Sequence, residues 1–268
     1  MPDEIPADLA AALMATSDRR GHLGHPVYYF AETSSTNDRA AAYAERGAPE
    51  GTMVVAGSQT AGRGRLGRSW YSPPGAGLYA SLVFRTRAAA PFLTLLAGVA
   101  VADGIRKATG LGLEIKWPND VVTPRSVGRQ RRKVAGILAE ASSSAAGLQH
   151  VVLGFGVNVQ PVAYPPELAD RASSLETELG RTVDMNAVLA EVLVELAAGL
   201  PALASGDAAS LLARWRSLAP SVRGGAVECD SASGRVRGVA EGVADDGALL
   251  VRIGDRTERV VAGEVTWT

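Results

Sequence analysis

The chain has 268 residues, 47% hydrophobic and 21% charged, enough to bury a substantial core in one large domain with a smaller one beside it. Its 27 Lys and Arg against 28 Asp and Glu leave a net charge of −1, which excludes a global positive field that would hold the protein on nucleic acid or an anionic membrane. A single cysteine, Cys229, excludes an internal disulfide and a multi-cysteine metal site, and no apolar run reaches the roughly 20 residues that cross a bilayer, so a cytoplasmic protein with no membrane partner is expected.

Residues 1–26 carry one short apolar helical pattern, Leu9, Ala12 and Leu13, followed by Gly, His and Pro, and read as a partly ordered N-terminal arm. From Tyr28-Tyr29-Phe30 onward, extended apolar runs alternate with helical patterns through residues 27–220. Strands are predicted at Met53–Ala56, Leu78–Phe84, Glu114–Trp117, Val134–Glu140 and Val151–Val159, and helices over 37–46, 91–109, 185–200 and 206–218. In the third helix Val188, Leu189, Val192, Leu193 and Leu196 share a face and Asp184 is available as its cap. After Pro220 the helical signal stops. Short alternating segments within 221–268, separated by Asp-Asp-Gly and Gly-Asp turns, read as a small all-β module.

Five strings carry chemistry. The first is Ser34-Ser35-Thr36-Asn37, whose hydroxyls suit a helix N-cap and equally a polar ligand at a helix N-terminus. The second, Gln59 to Trp70, packs Gly62, Arg63, Gly64, Arg65, Gly67 and Arg68 into one segment: glycine lets backbone approach a ligand, and arginine meets an anion with a planar fork of donors. It leads into Trp-Tyr-Ser-Pro-Pro rather than a helix and so is no dinucleotide fingerprint. A loop that closes over an anion and is mobile without one is expected; a charged surface loop is the plain alternative.

The third string is Lys116-Trp117-Pro118-Asn119-Asp120 at a strand end, where Pro118 stops pairing and turns Asn119 and Asp120 outward, either as a strand cap with an Asx turn or as a site. In the fourth, Lys133-Val134-Ala135-Gly136-Ile137-Leu138, a lysine stands where a loop enters a strand and is a candidate to hold a carboxylate or phosphate. The preceding Arg129, Arg131 and Arg132 read as a solvated turn. The fifth, Gly154-Phe155-Gly156-Val157-Asn158, allows close approach over its glycines. Asn158 suits a ribose or base edge, or main-chain partners of its own.

In this order and together, the five strings resemble the biotin–protein ligase family, strongly over 28–160 and more loosely through the C-terminal module. The resemblance implies an α+β fold, a mixed β-sheet flanked by helices like that of class II aminoacyl-tRNA synthetases, with a small C-terminal β-barrel. It implies an enzyme that joins biotin to ATP as biotinyl-5′-adenylate and transfers biotin to a lysine of a biotin carboxyl carrier domain, with Mg²⁺ assisting. By matched position, Ser35, Thr36, Asn37 and Gln59 would bind the ureido ring, with Gly62, Arg63, Gly64, Arg65, Lys133 and Gly136 completing the biotin site. Lys133, Arg65 and Lys116 would be catalytic. Arg65, Arg68, Trp70, Lys116, Asn119 and Asn158 would face ATP, and Asp120 is a possible Mg²⁺ ligand.

Only about 25 residues precede the first strand, too few for the DNA-binding unit many relatives carry, so no DNA partner is expected. A monomer or weak homodimer is expected. A lipoate or octanoate ligase keeps the fold and changes the substrate. A nucleic-acid patch of Arg63, Arg65, Arg68, Arg85 and Arg87 with Trp70 and Tyr71 is a reading of a different class. His22, His25 and His150 lack metal-ligand spacing.

Overall fold

The computed structural model describes residues 1–86, 90–125, 130–145, 147–231, 234–261, 263 and 265–267. The N-terminal segment is more ordered than its sequence suggests. Helices α1 (Ala7–Ala15) and α2 (Ser17–Arg20) bury Leu9 and Leu13, and Leu23 follows them into the core. The buried Arg20 donates from Nε to the Leu13 carbonyl at 3.1 Å, and Arg19 makes a two-pronged pair with Glu191 at 2.8 Å on each prong. The partner of this segment lies more than 150 residues downstream, beyond the reach of local pattern.

Strand β1 (Val27–Phe30) leads to helix α3 (Thr36–Glu45), then to β2 (Met53–Ala56) and β3 (Gly77–Phe84). Helix α4 (Leu93–Thr109) follows, then β4 (Glu114–Lys116), β5 (Asp120–Val122), β6 (Lys133–Ser144) and β7 (Gly147–Asn158). These strands form one seven-stranded sheet in the order β1-β2-β3-β7-β6-β5-β4, parallel between β1 and β2 and antiparallel elsewhere, so it is mixed. Asp120 does not project from a turn as its string suggested. It opens β5, and Trp117–Asn119 form the turn of the β4–β5 hairpin.

Side chains alternate between the two faces over β2, β3 and the adjoining part of β7. Met53, Val55, Leu82, Phe84 and Leu153 point to one face, and Val54, Ala56, Val83 and Val152 to the other, where they pack on α3 through Ala40 and Ala44. The larger core, on the first face, is covered by α4 and by two later helices. Two short helices, α5 (Pro166–Ala169) and α6 (Leu175–Leu179), lead to α7 (Met185–Ala204) and α8 (Ala209–Leu218). Asp184 caps α7 as expected, accepting from the backbone N–H groups of Asn186 and Ala187 at 2.9 and 3.1 Å.

Helix α7 corrects the expectation that no apolar stretch is long enough to span a bilayer: it has 20 residues, and an 18-residue window within it has a mean hydropathy of 1.9. Here the helix is part of the core. Val188, Leu189, Val192, Leu193 and Leu196 are buried, and Glu191 and Glu195 are ion-paired to Arg19 and Lys107.

Beyond Pro220 come β8 (Ala226–Ser231), β9 (Gly234–Val243), β10 (Leu249–Ile253), β11 (Arg256–Val260) and β12 (Val265–Trp267), an all-antiparallel sheet in the order β11-β10-β9-β8-β12. Strand β12 was not foreseen. Trp267 Nε1 reaches the Trp117 carbonyl at 3.4 Å and Trp117 Nε1 reaches the Gly247 carbonyl at 3.0 Å, so the small sheet is tied to the β4–β5 turn.

Asp103 on α4 links to α8 through Arg214, which donates from Nε at 2.9 Å, with Arg106 also in contact. Burial pushes the Asp103 carboxyl up, but the two guanidinium groups outweigh it and hold the group below its ordinary 3.8. Because folding lowers this pKa, the stabilisation is complete above about pH 4 and is lost as pH falls through the folded-state value. Asp103→Asn is expected to cost roughly 1–3 kcal/mol at pH 7, with the deficit shrinking below pH 4, measured by urea denaturation across pH.

Candidate active site

The sheet register sets out the site before any loop is considered. Lys116 pairs with Asp120, Asp120 with Gly136, Gly136 with Gly156 and Gly156 with Tyr79, so one row crosses five strands on the α3 face. In the next row Ser81 pairs with Gly154 and Gly154 with Leu138. Cross-strand partners share a face, so three glycines leave a bare floor at the centre of the sheet.

Loop side chains descend into that space. A Cβ at Gly136 would meet the Trp70 ring at 2.8 Å, one at Gly156 would strike the Trp70 indole, and one at Gly154 would overlap the Asn37 amide. Trp70 Nε1 is buried there with no hydrogen-bond partner. A buried donor left so costs about 1–3 kcal/mol, which favours an arriving acceptor such as a phosphate or carbonyl oxygen.

Helix α3 delivers its N-terminus to this floor. Ser35 stands at the N-cap position, but its side chain makes no cap hydrogen bond. Instead Gln59 Oε1 accepts from the Thr36 N–H at 2.8 Å, while Gln59 Nε2 donates to Ser72 Oγ at 2.9 Å. The fully buried Ser81 Oγ lies 2.8 Å from Thr36 Oγ1 and 2.6 Å from Asn37 Oδ1. Hydroxyls and amides so fixed can read a small polar heterocycle that offers both donors and an acceptor.

Lys133 reaches the same cavity through a bulge. Val121 pairs with Ala135 but Val122 with Lys133, so Val134 is an extra residue that breaks the alternation and turns Lys133 to the glycine face. Its ammonium lies 2.6 Å from Asp120 Oδ1 and 5.0 Å from the centre of the Trp70 ring. Burial lowers the Lys116 pKa, and Arg171, Lys133 and Arg131 lower it further against the attraction of Asp120. Burial likewise lowers the Arg65 pKa, opposed by Asp120. Cations crowded around one carboxylate make this end of the sheet ready for an anion.

The resulting pocket is lined by Ser35, Thr36, Asn37, Gln59, Arg63, Gly64, Arg65, Trp70, Asn119, Lys133 and Gly136, together with Ile137, Leu138, Gly154, Phe155 and Gly156. Its cavity volume is ≈ 50 Å³, room for a few waters at roughly 10–15 Å³ each on that measure. The 59–70 segment forms one wall of it through Gln59, Arg63, Gly64, Arg65 and Trp70. Two hydrogen bonds within it, Trp70 N–H to Gly62 O at 2.8 Å and Gly64 N–H to Arg68 O at 2.7 Å, fold the segment on itself.

Several sequence candidates stand elsewhere. Gly62, Arg68, Lys116, Asp120 and Asn158 do not line the pocket. Gly62 is packed under the loop against Trp70 and Ser72, and the Asn158 amide donates to the Ser173 carbonyl at 3.0 Å, its main-chain alternative. Asn119 lines the pocket, with its amide donating to the Ile137 carbonyl at 2.6 Å.

The basic turn is no solvated loop at its described end. Arg131 pairs with Glu114 at 2.8 Å and Arg132 with Glu178 at 2.6 Å, while Arg129 lies outside the described residues. Of the nucleic-acid patch, Arg85 is turned to main chain, donating to the Ala44 and Ala48 carbonyls at 2.8 Å, and Arg87 lies outside the described residues. Among the described residues no group of three or more His, Cys, Asp or Glu could hold a metal. Sequence reasoning missed Ser72, Ser81, Asp38 and Glu140, since each matters only through a partner brought by folding.

Residues 29–158 match the biotin/lipoate A/B protein ligase family, and residues 229–266 match the biotin protein ligase C-terminal domain. The chain is similar to the biotin–[acetyl-CoA-carboxylase] ligase of Paracoccus denitrificans, 34% identical over 249 residues, 88% of this chain and 98% of the relative. It is similar to the bifunctional ligase/repressor BirA of Bacillus subtilis, 34% identical over 248 residues, 91% of this chain and 74% of the relative. Among solved structures, the biotin protein ligase from Aquifex aeolicus in complex with biotin and ATP superposes with a TM-score of 0.77 at 28% identity, covering 91% of this chain and 99% of the other. With a glycine-floored pocket beneath an arginine loop and kinship across both of its sheets, the chain belongs to the biotin protein ligase family.

Proposed function

We propose that this protein is an ATP-dependent biotin–protein ligase that makes biotinyl-5′-adenylate and transfers the biotinyl group to a lysine of a biotin carboxyl carrier domain. The observation that carries the reading is the single cavity shared by Gln59, the α3 N-terminus, the Arg63–Arg65 loop and Lys133. A carboxylate does not acylate amines, so it must first be activated. One carboxylate oxygen of biotin attacks the α-phosphorus of ATP and pyrophosphate leaves; the acceptor amine then attacks the acyl carbon and AMP leaves.

The residues divide along the cavity. Ser35, Thr36, Asn37 and Gln59, held by Ser72 and Ser81, face the ureido ring, with Gly154 and Gly136 leaving room for Asn37, Trp70 and Lys133 to reach the sheet. Lys133 exchanges Asp120 for the carboxylate and α-phosphate oxygens, where a fixed cation stabilises charge that grows in both transfers. Arg65 covers the same group and Trp70 offers its free indole N–H. Lys116, in the same cross-strand row as Asp120, stands where the leaving pyrophosphate needs a cation. The shut 59–70 segment keeps water from the mixed anhydride.

A Mg²⁺ ion would neutralise phosphate charge as pyrophosphate leaves. One carboxylate, Asp120, fits an ion that keeps several waters and arrives with the nucleotide, and does not fit a cage made by protein alone.

Incubation with biotin, ATP, Mg²⁺ and a carrier domain is expected to raise the intact mass of the acceptor by one biotinyl group; a gain with lipoate and none with biotin would reject the reading. Lys133→Ala is expected to slow pyrophosphate release about 10²–10³-fold. Its stability should change by less than about 1 kcal/mol, because the pair with Asp120 is partly exposed. Gly154→Ala displaces Asn37 and is expected to raise the KM for biotin about tenfold in steady-state assays while the protein stays folded.

A further inference from the structure

Glu140 lies outside every role assigned above, yet it joins the two halves of the site. It stands on β6 opposite Val152, two residues beyond Leu138 and four beyond Gly136, so the alternation of the strand points it to the glycine face. Its Oε2 accepts from Asn37 Nδ2 at 2.7 Å and from the Arg63 guanidinium. Arg63 also pairs with Asp38 at 3.2 Å. A continuous polar path therefore runs from fully buried Ser81 through Asn37 and Glu140 to Arg63 in the loop.

We infer that Glu140 is a positioning residue that holds the loop shut by gripping Arg63 and, through the same oxygen, sets the Asn37 amide, with Asp38 as an auxiliary grip. This rests on the ligase reading for what the closed loop retains, namely the adenylate, but not for the grip itself. The outer end of the path is half-exposed, with side-chain exposures of 43% for Arg63, 38% for Glu140 and 47% for Asp38. Solvent and salt compete there, so the loop can reopen. The inner end is dry, so Asn37 keeps its place only while its amide has an acceptor.

The test compares the wild-type protein with Glu140→Gln and Asp38→Asn. Gln at 140 can still accept from Asn37 but carries no charge for Arg63. Without any ligand, trypsin is expected to cut after Arg63, Arg65 or Arg68 about fivefold faster in Glu140→Gln and about twofold faster in Asp38→Asn. In 1 M NaCl the wild-type cutting rate should rise toward that of Glu140→Gln. With biotin and ATP, Glu140→Gln should release biotinyl-adenylate about fivefold faster while its KM for the acceptor domain is unchanged.

A merely structural role would lower the melting temperature and leave trypsin cutting and adenylate lifetime at wild-type values; that result would overturn the inference. If Glu140→Gln does not fold, Asp38→Asn on the exposed helix surface decides, and wild-type cutting by it would also overturn the inference. A wild-type protein that makes no adenylate would sink the ligase reading, while the ligand-free trypsin comparison would still decide the grip.

Discussion

A β-sheet normally presents side chains on both faces, and a ligand laid on it meets their tips. Here Gly136, Gly154 and Gly156 are cross-strand or diagonal neighbours on β6 and β7, so the centre of one face is bare backbone. Everything else in the site depends on that vacancy. Trp70 lies against it, the Asn37 amide drops to within overlap distance of a Cβ at Gly154, and Lys133 folds over Gly136. With side chains at these positions, loop and helix would ride higher on the sheet and the convergence of amides, hydroxyls and cations would be lost.

Electrostatics follows from the same placement. Asp120 and Lys116 stand in the row of Gly136 and Gly156, and the bulge at Val134 turns Lys133 to the same face. The ammonium of Lys133 rests on Asp120 at 2.6 Å, and Arg65 and Lys116 both feel that carboxylate. One negative group thus balances several positive ones. An acyl-phosphate would find donors already in place, with little reorganisation needed at the moment of reaction.

What the sequence disclosed was governed by range. The alternating runs of β3, β6 and β7 and the one-sided apolar face of α7 were legible because their periods are local, and so was the cap at Asp184. The strings around Ser35, Arg63 and Lys133 were legible as site elements because unusual residues cluster within a few positions, and the structure brings these strings to one pocket. The helical pattern at Leu9, Ala12 and Leu13 was legible but its docking was not, since Leu9 and Leu13 bury only after α7 arrives. The bulge that turns Lys133 inward leaves no mark in Lys-Val-Ala-Gly, and Asn158 and Asn119 look alike in sequence although only Asn119 lines the pocket. Arg131 and Arg132 read as solvated until folding supplies Glu114 and Glu178.

Under the proposed function the arginine loop and the bulged lysine act on one acyl-phosphate above a floor of glycine. A crystal structure with biotinyl-5′-adenylate bound tests it most directly. The acyl-phosphate is expected between Arg65 and Lys133, with the Lys133 ammonium moved from Asp120 onto ligand oxygens and the ring beside Asn37 within reach of Gln59. A ligand bound away from the glycines, or one that leaves Lys133 on Asp120, would contradict it.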